Sequence, residues 1–191
     1  MAVGPRTIYL IRHAEKPGDP GVTAAGVDEA GQPNVASLTP RGWQRAGALV
    51  ALFDRDAAAP DAVGPRPTVL ISPDYGADSA QHRTVETITP LSRRLGVPIT
   101  EPQAKGSETA LAQGTIMGLT DADLLVCWEH HHIPAIVAAL GSVARLAALP
   151  PLAISWPDDE YSGILVFTRT DTGGYDCRSV HEHILDGDAT N

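Results

Sequence analysis

The chain has 191 residues, of which 43% are hydrophobic and 19% are charged, a composition that excludes a disordered or fibrous protein and predicts a single domain over residues 1–191. Its formal net charge is −9, from 14 Lys and Arg against 23 Asp and Glu, so we expect no nucleic-acid partner. No apolar run approaches the ~18 residues of a membrane span, and no secretory leader is recognisable. We therefore expect no membrane association and, by default, a cytoplasmic protein.

The first predicted element is a buried strand at residues 7–11 (TIYLI), which ends in the polar run RHAEK. A loop rich in Gly, Pro and Asp follows at residues 16–37, and loops of this length are usually functional or mobile. The stretch LTPRGWQRAGALVALFDRD then predicts a helix, with Thr39 as its N-cap and Pro40 in its first turn. A second short buried strand, TVLISP, is predicted at residues 68–73.

A second helix is predicted in DSAQHRTVETITPLSRRLGV, with Ser79 as the capping residue and Arg83 in the first turn. A weaker helix capped by Ser107 follows, and then a third buried strand at residues 123–129, DLLVCWE. The helix after HHH contains Pro134, which suits the start of a helix better than its middle. The C-terminal stretch GILVFTRTDTGGYDCRSVHEHIL alternates about a TGG turn and predicts a two-stranded hairpin.

This alternation of strands and helices predicts an α/β fold. We expect a three-layer α/β/α sandwich whose central sheet is mostly parallel, with the C-terminal antiparallel hairpin at one edge. Ligands of such sheets bind at the carboxyl ends of the strands. The three strand ends carry RHAEK, SPDYGADSAQHR and WEHHH. We therefore expect Arg12, His13, Arg83 and one of the three adjacent histidines to meet at one edge of the sheet.

Each of these features has a structural explanation when taken alone. An Arg–His pair is more often hydrogen-bonded or solvated than catalytic, and Arg83 could serve as a surface ion-pair donor. A cation in the first turn of a helix, however, lies at the positive end of the macrodipole and favours a bound anion. The run His130–His132 does not predict a metal site, because three adjacent residues cannot all point at one ion and no spaced His or Cys accompanies them. We expect neither a metal nor a cofactor.

Two further features receive a structural interpretation. Cys127 and Cys177 show neither a CxxC spacing nor a disulfide pattern, so we expect both to be buried thiols. The acidic and aromatic stretch SWPDDEYSG, residues 155–163, is expected to form a surface turn, and a lid is the alternative.

Four motifs, YLIRHAEKP, LTPRGWQRA, SAQHRTVET and LLVCWEHHHIPAIVAAL, resemble in order and spacing the signatures of the histidine phosphatase superfamily, also called phosphoglycerate mutase-like, in its smaller-domain branch. The resemblance covers residues 8–140. It implies an enzyme, a metal-independent phosphomonoester hydrolase that works through a phosphohistidine on a small phosphorylated metabolite. It also implies that His13 is the nucleophile and that Arg12, Arg83 and His130 hold the phosphoryl oxygens, with His131 as the alternative to His130.

The resemblance further implies a glutamate as proton donor, located between the second arginine and the last histidine. Glu108 is preferred for this role, and Glu101 is the alternative. Lys16 and Arg41 would extend the positive rim around the substrate. The chain departs from many relatives at Ala14, where they have glycine, and HHH lacks the His-Asp pair of the acid-phosphatase branch.

The chemistry agrees with this assignment, because phosphoryl transfer needs an aligned nucleophile and positive donors around three equatorial oxygens. Two arginines and an imidazole supply such donors without a metal. A phosphohistidine-protein phosphatase is the alternative among enzymes, and a non-catalytic phospho-ligand-binding protein is the alternative outside them. A mutase is disfavoured, since no large insertion beyond the loop at residues 16–37 covers a phosphoenzyme. The identity of the substrate and the oligomeric state do not follow from the sequence.

Overall fold

The computed structural model describes residues 4–56, 63–76 and 82–188. The strands are β1 (Thr7–Arg12), β2 (Val69–Ile71), β3 (Ile99–Thr100), β4 (Asp123–Trp128), β5 (Gly163–Arg169) and β6 (Tyr175–His181). They form one six-stranded sheet in the order β3-β2-β4-β1-β5-β6. Strands β3, β2, β4 and β1 run parallel, whereas β5 is antiparallel to both β1 and β6. The predicted sheet, mostly parallel with an antiparallel C-terminal hairpin at its edge, is confirmed.

The helices are α1 (Pro40–Phe53), α2 (Arg83–Leu95), α3 (Glu108–Ala110), α4 (Ile133–Gly141) and α5 (Pro151–Ile154). A π-helical stretch, Leu111–Ile116, continues α3, and a 3₁₀ turn, His130–His132, leads into α4. Among the described residues, no helix combines the length and the apolar character needed to cross a bilayer.

Local capping explains where the longer helices begin. The Thr39 hydroxyl accepts a hydrogen bond from the backbone N–H of Gly42, and Pro40 is the first residue of α1, as predicted. Helix α2 begins at Arg83, while the predicted capping residue Ser79 lies outside the described residues. Strand β3 and helix α5 were not predicted, because elements of two and four residues are too short to show a periodic pattern.

Two hydrophobic cores lie on opposite faces of the sheet. On one face, Tyr9 and Ile11 of β1 pack with residues of α1 and α2. On the other face, Ile8 and Leu10 pack with residues of the π-helical stretch, α4 and α5. Because β1 is buried on both faces, it reads as a continuous apolar run in the sequence. The arrangement is the three-layer sandwich that the sequence predicts.

The chain leaves β1 and β4 on opposite sides of the sheet. After β1 it continues to α1 on one face, and after β4 it continues to α4 on the other face. These two strands are neighbours in the sheet. The crevice beyond their carboxyl ends is therefore a topological switch point, the place where ligands bind in open α/β sheets.

Both cysteines are free thiols. Cys127 is fully buried in β4, as expected, whereas Cys177 lies on the edge strand β6 and is only half-buried.

Candidate functional site

Two histidines meet at the carboxyl ends of β1 and β4. Arg12 is paired with Trp128 in the sheet, and the backbone N–H of His13 donates to the Trp128 carbonyl at 3.2 Å. His130 follows Trp128 by two residues, so its ring comes to face that of His13, with centroids 5.8 Å apart and planes at 79°. Both side chains are buried, at 2% and 4% exposure. The structure thus brings His13 and His130 together at the switch point.

The ring of His13 is held with one nitrogen unused. Nδ1 lies 2.8 Å from the carbonyl of Ala14, so Nδ1–H is the donor and the lone pair is on Nε2. Nε2 is buried and has no hydrogen-bond partner among the described residues. Burial, reinforced by the positive charge of Arg12, lowers the pKa of His13 to about 3. At neutral pH His13 is therefore a neutral imidazole with a free lone pair, the state that a nucleophile requires.

A short chain of hydrogen bonds connects Arg83 to the segment behind His13. The backbone N–H of Ala14 donates to the Thr87 hydroxyl at 2.9 Å, and that hydroxyl donates to the Arg83 carbonyl at 2.7 Å. The Arg83 side chain donates from Nη2 to the carbonyl of Val35 at 2.9 Å. The first turn of α2 is thereby fixed beside the end of β1, while the role of the Arg83 side chain stays a prediction.

Most of the Arg12 guanidinium already has hydrogen-bond partners. They are Asp19 and a turn far away in the sequence that contains Asp158. Nη1 donates to the carbonyl of Asp158 at 2.6 Å, and Nη2 lies 3.4 Å from Asp19 Oδ2. The guanidinium carbon lies 3.9 Å from the centroid of the Tyr161 ring, a cation–π contact. Of the three guanidinium nitrogens, Nε is the one that has no hydrogen-bond partner among the described residues.

Unpartnered buried atoms concentrate at this edge of the sheet. Within the part of the chain that the structure describes, such side-chain atoms are Arg12 Nε, His13 Nε2, Arg83 Nε, His130 Nδ1 and Asp123 Oδ1. Asp123 begins β4 and lies at the opposite edge, so the four nitrogens belong to the four residues predicted to bind phosphate. Buried polar groups are nearly always satisfied, and a group that is not satisfied indicates a missing partner. An anion placed among these nitrogens would be such a partner.

His130, not His131, faces His13. Its Nε2 lies 3.0 Å from Asp158 Oδ1, while its Nδ1 lies 3.7 Å from the Glu129 carboxylate, too far for a hydrogen bond. Burial and then the charge of Arg12 lower the pKa of His130. The neighbouring His131 side chain is 62% exposed and lies against the same Asp158.

Glu108 lies near the end of β4 and is held as a carboxylate. Its Oε1 accepts from the Gly106 backbone N–H at 2.9 Å and from Trp128 Nε1 at 3.0 Å, and His132 Nδ1 lies 2.9 Å away. Burial alone would raise the pKa of Glu108, but these hydrogen bonds outweigh it and the pKa is lowered. This direction is the opposite of what a general acid needs. The alternative, Glu101, is exposed directly after β3.

The two residues predicted for the substrate rim already have carboxylate partners. Lys16 pairs with Asp19, and Arg41 donates to Glu15 at 3.1 Å and to Asp188 at 3.2 Å. An anionic substrate group at this rim would compete with those carboxylates.

The segment at residues 157–161 is part of the site, although the sequence was interpreted as forming a surface turn there. Its carbonyls accept from Arg12, Asp158 contacts both His130 and His131, and the Tyr161 hydroxyl donates to Asp19 at 2.5 Å. Residues 157–159 are exposed, as expected for a surface turn, and the segment nevertheless contacts the candidate site. The sequence did not show the direction of β5 relative to β1. Because β5 runs antiparallel to β1, the segment before β5 lies at the carboxyl end of β1.

No model of a known protein family matches the chain, and no curated protein matches it either. The resemblance to the histidine phosphatases therefore depends on the ordered motifs alone, and the case for function depends on the geometry of the site.

Proposed function

We propose that this chain is a metal-independent phosphomonoester hydrolase that acts on a small phosphorylated metabolite through a phosphohistidine on His13. The observation that carries the proposal is the group of four buried, unpartnered nitrogens on Arg12, His13, Arg83 and His130. One of them is a nucleophilic lone pair on a neutral imidazole, and the others belong to residue types suited to phosphate. A binding protein without turnover has no need for that free lone pair.

In the proposed reaction, Nε2 of His13 attacks phosphorus, the bond to the leaving oxygen breaks, and this oxygen takes a proton from solvent water to leave as the alcohol. The ring becomes cationic as the phosphorus–nitrogen bond forms, and the Ala14 carbonyl that accepts from Nδ1–H stabilises this charge. Water then attacks the phosphohistidine, the phosphorus–nitrogen bond breaks, and inorganic phosphate leaves with His13 neutral again. No step requires a metal.

The remaining groups bind the phosphoryl oxygens. The Nε–H groups of Arg12 and Arg83 are charged donors that have no partner in the part of the chain that the structure describes. His130 directs Nε2–H at Asp158, so its Nδ1 carries a lone pair in the free protein. A bound dianion favours the protonated form of a nearby imidazole, and His130 then donates from Nδ1 to the ligand.

The test is hydrolysis of p-nitrophenyl phosphate in EDTA, together with a quench that traps phosphate on the protein. We expect the wild-type protein to turn over in EDTA and to retain acid-labile, base-stable phosphate, and we expect His13→Ala to do neither while remaining folded by circular dichroism. His183→Ala, on the exposed segment after β6, is the matched control and should behave as wild type. Equal labelling of wild type and His13→Ala would contradict the proposal, as would loss of turnover in EDTA. Ligand binding without any phosphoenzyme would favour the non-catalytic alternative.

A further inference from the structure

A second cluster of chemically active side chains lies beside the phosphate site. Glu129, His130 and His131 each offer one ligand atom, and these atoms all lie within 4.8 Å of one another. The Glu129 carboxylate is 3.7 Å from His130 Nδ1, and the rings of His130 and His131 have centroids 4.0 Å apart. The third histidine, His132, has Nδ1 2.9 Å from Glu108 Oε1 and Nε2 3.8 Å from Glu129 Oε2. Three adjacent residues, Glu129, His130 and His131, thus bring one ligand atom each to a common place, which the sequence argument against adjacent ligands did not foresee.

The spacing of these atoms fits a transition-metal ion. Zinc binds imidazole nitrogen and carboxylate oxygen at ~2.0–2.2 Å in a tetrahedron, so neighbouring ligand atoms lie roughly 3.4 Å apart. The separation of 3.7 Å between Glu129 and His130 is close to this value, and one nitrogen of His131 lies within 4.8 Å of the other two ligand atoms. His130 Nδ1 is, in addition, buried and has no hydrogen-bond partner among the described residues, on a side chain that is 5% exposed.

Asp158 supplies the outer contact that metal-binding histidines usually have. Its Oδ1 lies 3.0 Å from His130 Nε2 and 3.3 Å from His131 Nε2. A carboxylate that accepts the N–H of an imidazole fixes the tautomer and leaves the lone pair on the other ring nitrogen. For His130 this nitrogen is the unpartnered Nδ1, on the side of Glu129.

We propose that Glu129, His130 and His131 form a binding site for a divalent transition metal of the zinc class, with Asp158 orienting both imidazoles. Two nitrogen ligands and one oxygen favour Zn²⁺ and Co²⁺ over Mg²⁺ and Ca²⁺, which prefer oxygen alone. Three protein ligands leave a position open for water or an anion. Metal bound here withdraws His130 Nδ1 from the phosphate site, so zinc should inhibit hydrolysis. That consequence depends on the proposed function, whereas the binding itself does not.

The test is a titration of the full, chelator-treated chain with Co²⁺, followed by visible absorption, and with Zn²⁺, followed by calorimetry. We expect one equivalent to bind, with the absorption bands of low-coordinate Co²⁺ that excess Zn²⁺ abolishes. His131→Ala and Glu129→Gln should weaken binding by at least about tenfold. His183→Ala, which removes a histidine outside the cluster, should bind as wild type does. Absence of binding, or equal binding by wild type and His131→Ala, would overturn the proposal.

Activity provides a second readout that separates the two proposals. Added Zn²⁺ should inhibit hydrolysis of p-nitrophenyl phosphate by the wild-type protein, whereas the activity that His131→Ala shows in EDTA should be insensitive to added Zn²⁺. Wild-type protein that binds Co²⁺ but shows no hydrolysis would reject the proposed function and leave the metal site standing. Hydrolysis without Co²⁺ binding would do the reverse.

Discussion

His13 and His130 present different ring atoms to the crevice between them. His13 directs Nδ1–H at a carbonyl and leaves Nε2 free, whereas His130 directs Nε2–H at Asp158 and leaves Nδ1 free. Each ring is thus fixed by a single acceptor, and burial keeps both neutral in the free protein. A pair of neutral, oriented imidazoles suits a nucleophile on one side of a phosphoryl group and a group that becomes a donor only when an anion binds.

At the scale of single residues, the contacts of Glu108 predict that it does not protonate the leaving group. Because two N–H groups and His132 stabilise its carboxylate, we expect Glu108→Gln to change hydrolysis of an alkyl phosphate and of p-nitrophenyl phosphate by the same factor. A residue that protonates the leaving group would matter much more for the alkyl ester, whose alkoxide is the poorer leaving group. The measurement is kcat/KM for both substrates, with Glu29→Gln, an exposed glutamate that pairs with Arg93, as control. A loss confined to the alkyl phosphate would reinstate Glu108 as the proton donor that the family resemblance implies.

At the scale of elements, helix α1 supports the segment that carries His13. The Thr39 backbone N–H donates to the Glu15 carbonyl at 2.9 Å, and the Thr39 hydroxyl caps the helix. A Cβ at Gly42 would lie 2.3 Å from that same carbonyl, so only glycine permits this approach. The spacing Thr-x-x-Gly in LTPRG therefore has a physical explanation: one residue starts the helix and the other allows it to pack against the chain two residues beyond His13.

Gly42→Ala tests this contact, and Gly47→Ala on the same helix is its matched control. The added methyl at Gly42 must displace backbone, so we expect a loss of about 1–3 kcal/mol in the free energy of unfolding and a fall in activity as His13 shifts. A Cβ at Gly47 would meet nothing within 4 Å, so Gly47→Ala should stabilise the helix by up to about 1 kcal/mol with activity unchanged. Urea denaturation and hydrolysis of p-nitrophenyl phosphate measure both effects. A Gly42→Ala protein as stable and active as wild type would show that the contact is dispensable.

At the scale of the whole molecule, the order of the strands in the sheet explains which residues of the candidate site could be predicted from the sequence. Arg12, His13 and His130 could be placed together because parallel strands end at a common edge. The contribution of Asp158 could not, since periodicity identifies β5 as a strand but does not say that it lies beside β1. The partners of Arg41 were equally hidden, because Asp188 reaches it from 147 residues along the chain. Contacts made by tertiary packing leave no local pattern in a sequence.

A buried charge cluster fastens the C-terminal segment to the loop after β1. Arg45 donates to Glu15 at 2.8 Å, to Glu182 at 2.6 Å and to Asp188 at 2.5 Å, and Arg41 pairs with Glu15 and Asp188. Three carboxylates thus share two guanidiniums; the side chains of Arg45 and of the carboxylates are at most 4% exposed, whereas that of Arg41 is 42% exposed. Burial, together with the nearby charges of Asp188 and Glu15, raises the pKa of Glu182 to about 8 despite the opposing effect of Arg45.

This raised pKa predicts how stability depends on pH. An unfolded glutamate loses its proton near pH ~4.3, whereas Glu182 in the folded protein keeps its proton to about pH 8. Between these pH values Glu182 is ionised in the unfolded chain but protonated in the folded protein. Its contribution to the free energy of unfolding therefore falls as the pH rises. Glu182→Gln imitates the protonated side chain at every pH. We therefore expect the Tm of Glu182→Gln, relative to wild type, to rise steadily from pH 5 to pH 8, while Glu101→Gln on the exposed surface shows no such trend. A difference that is constant or falls over that range would mean that Glu182 remains ionised beside Arg45.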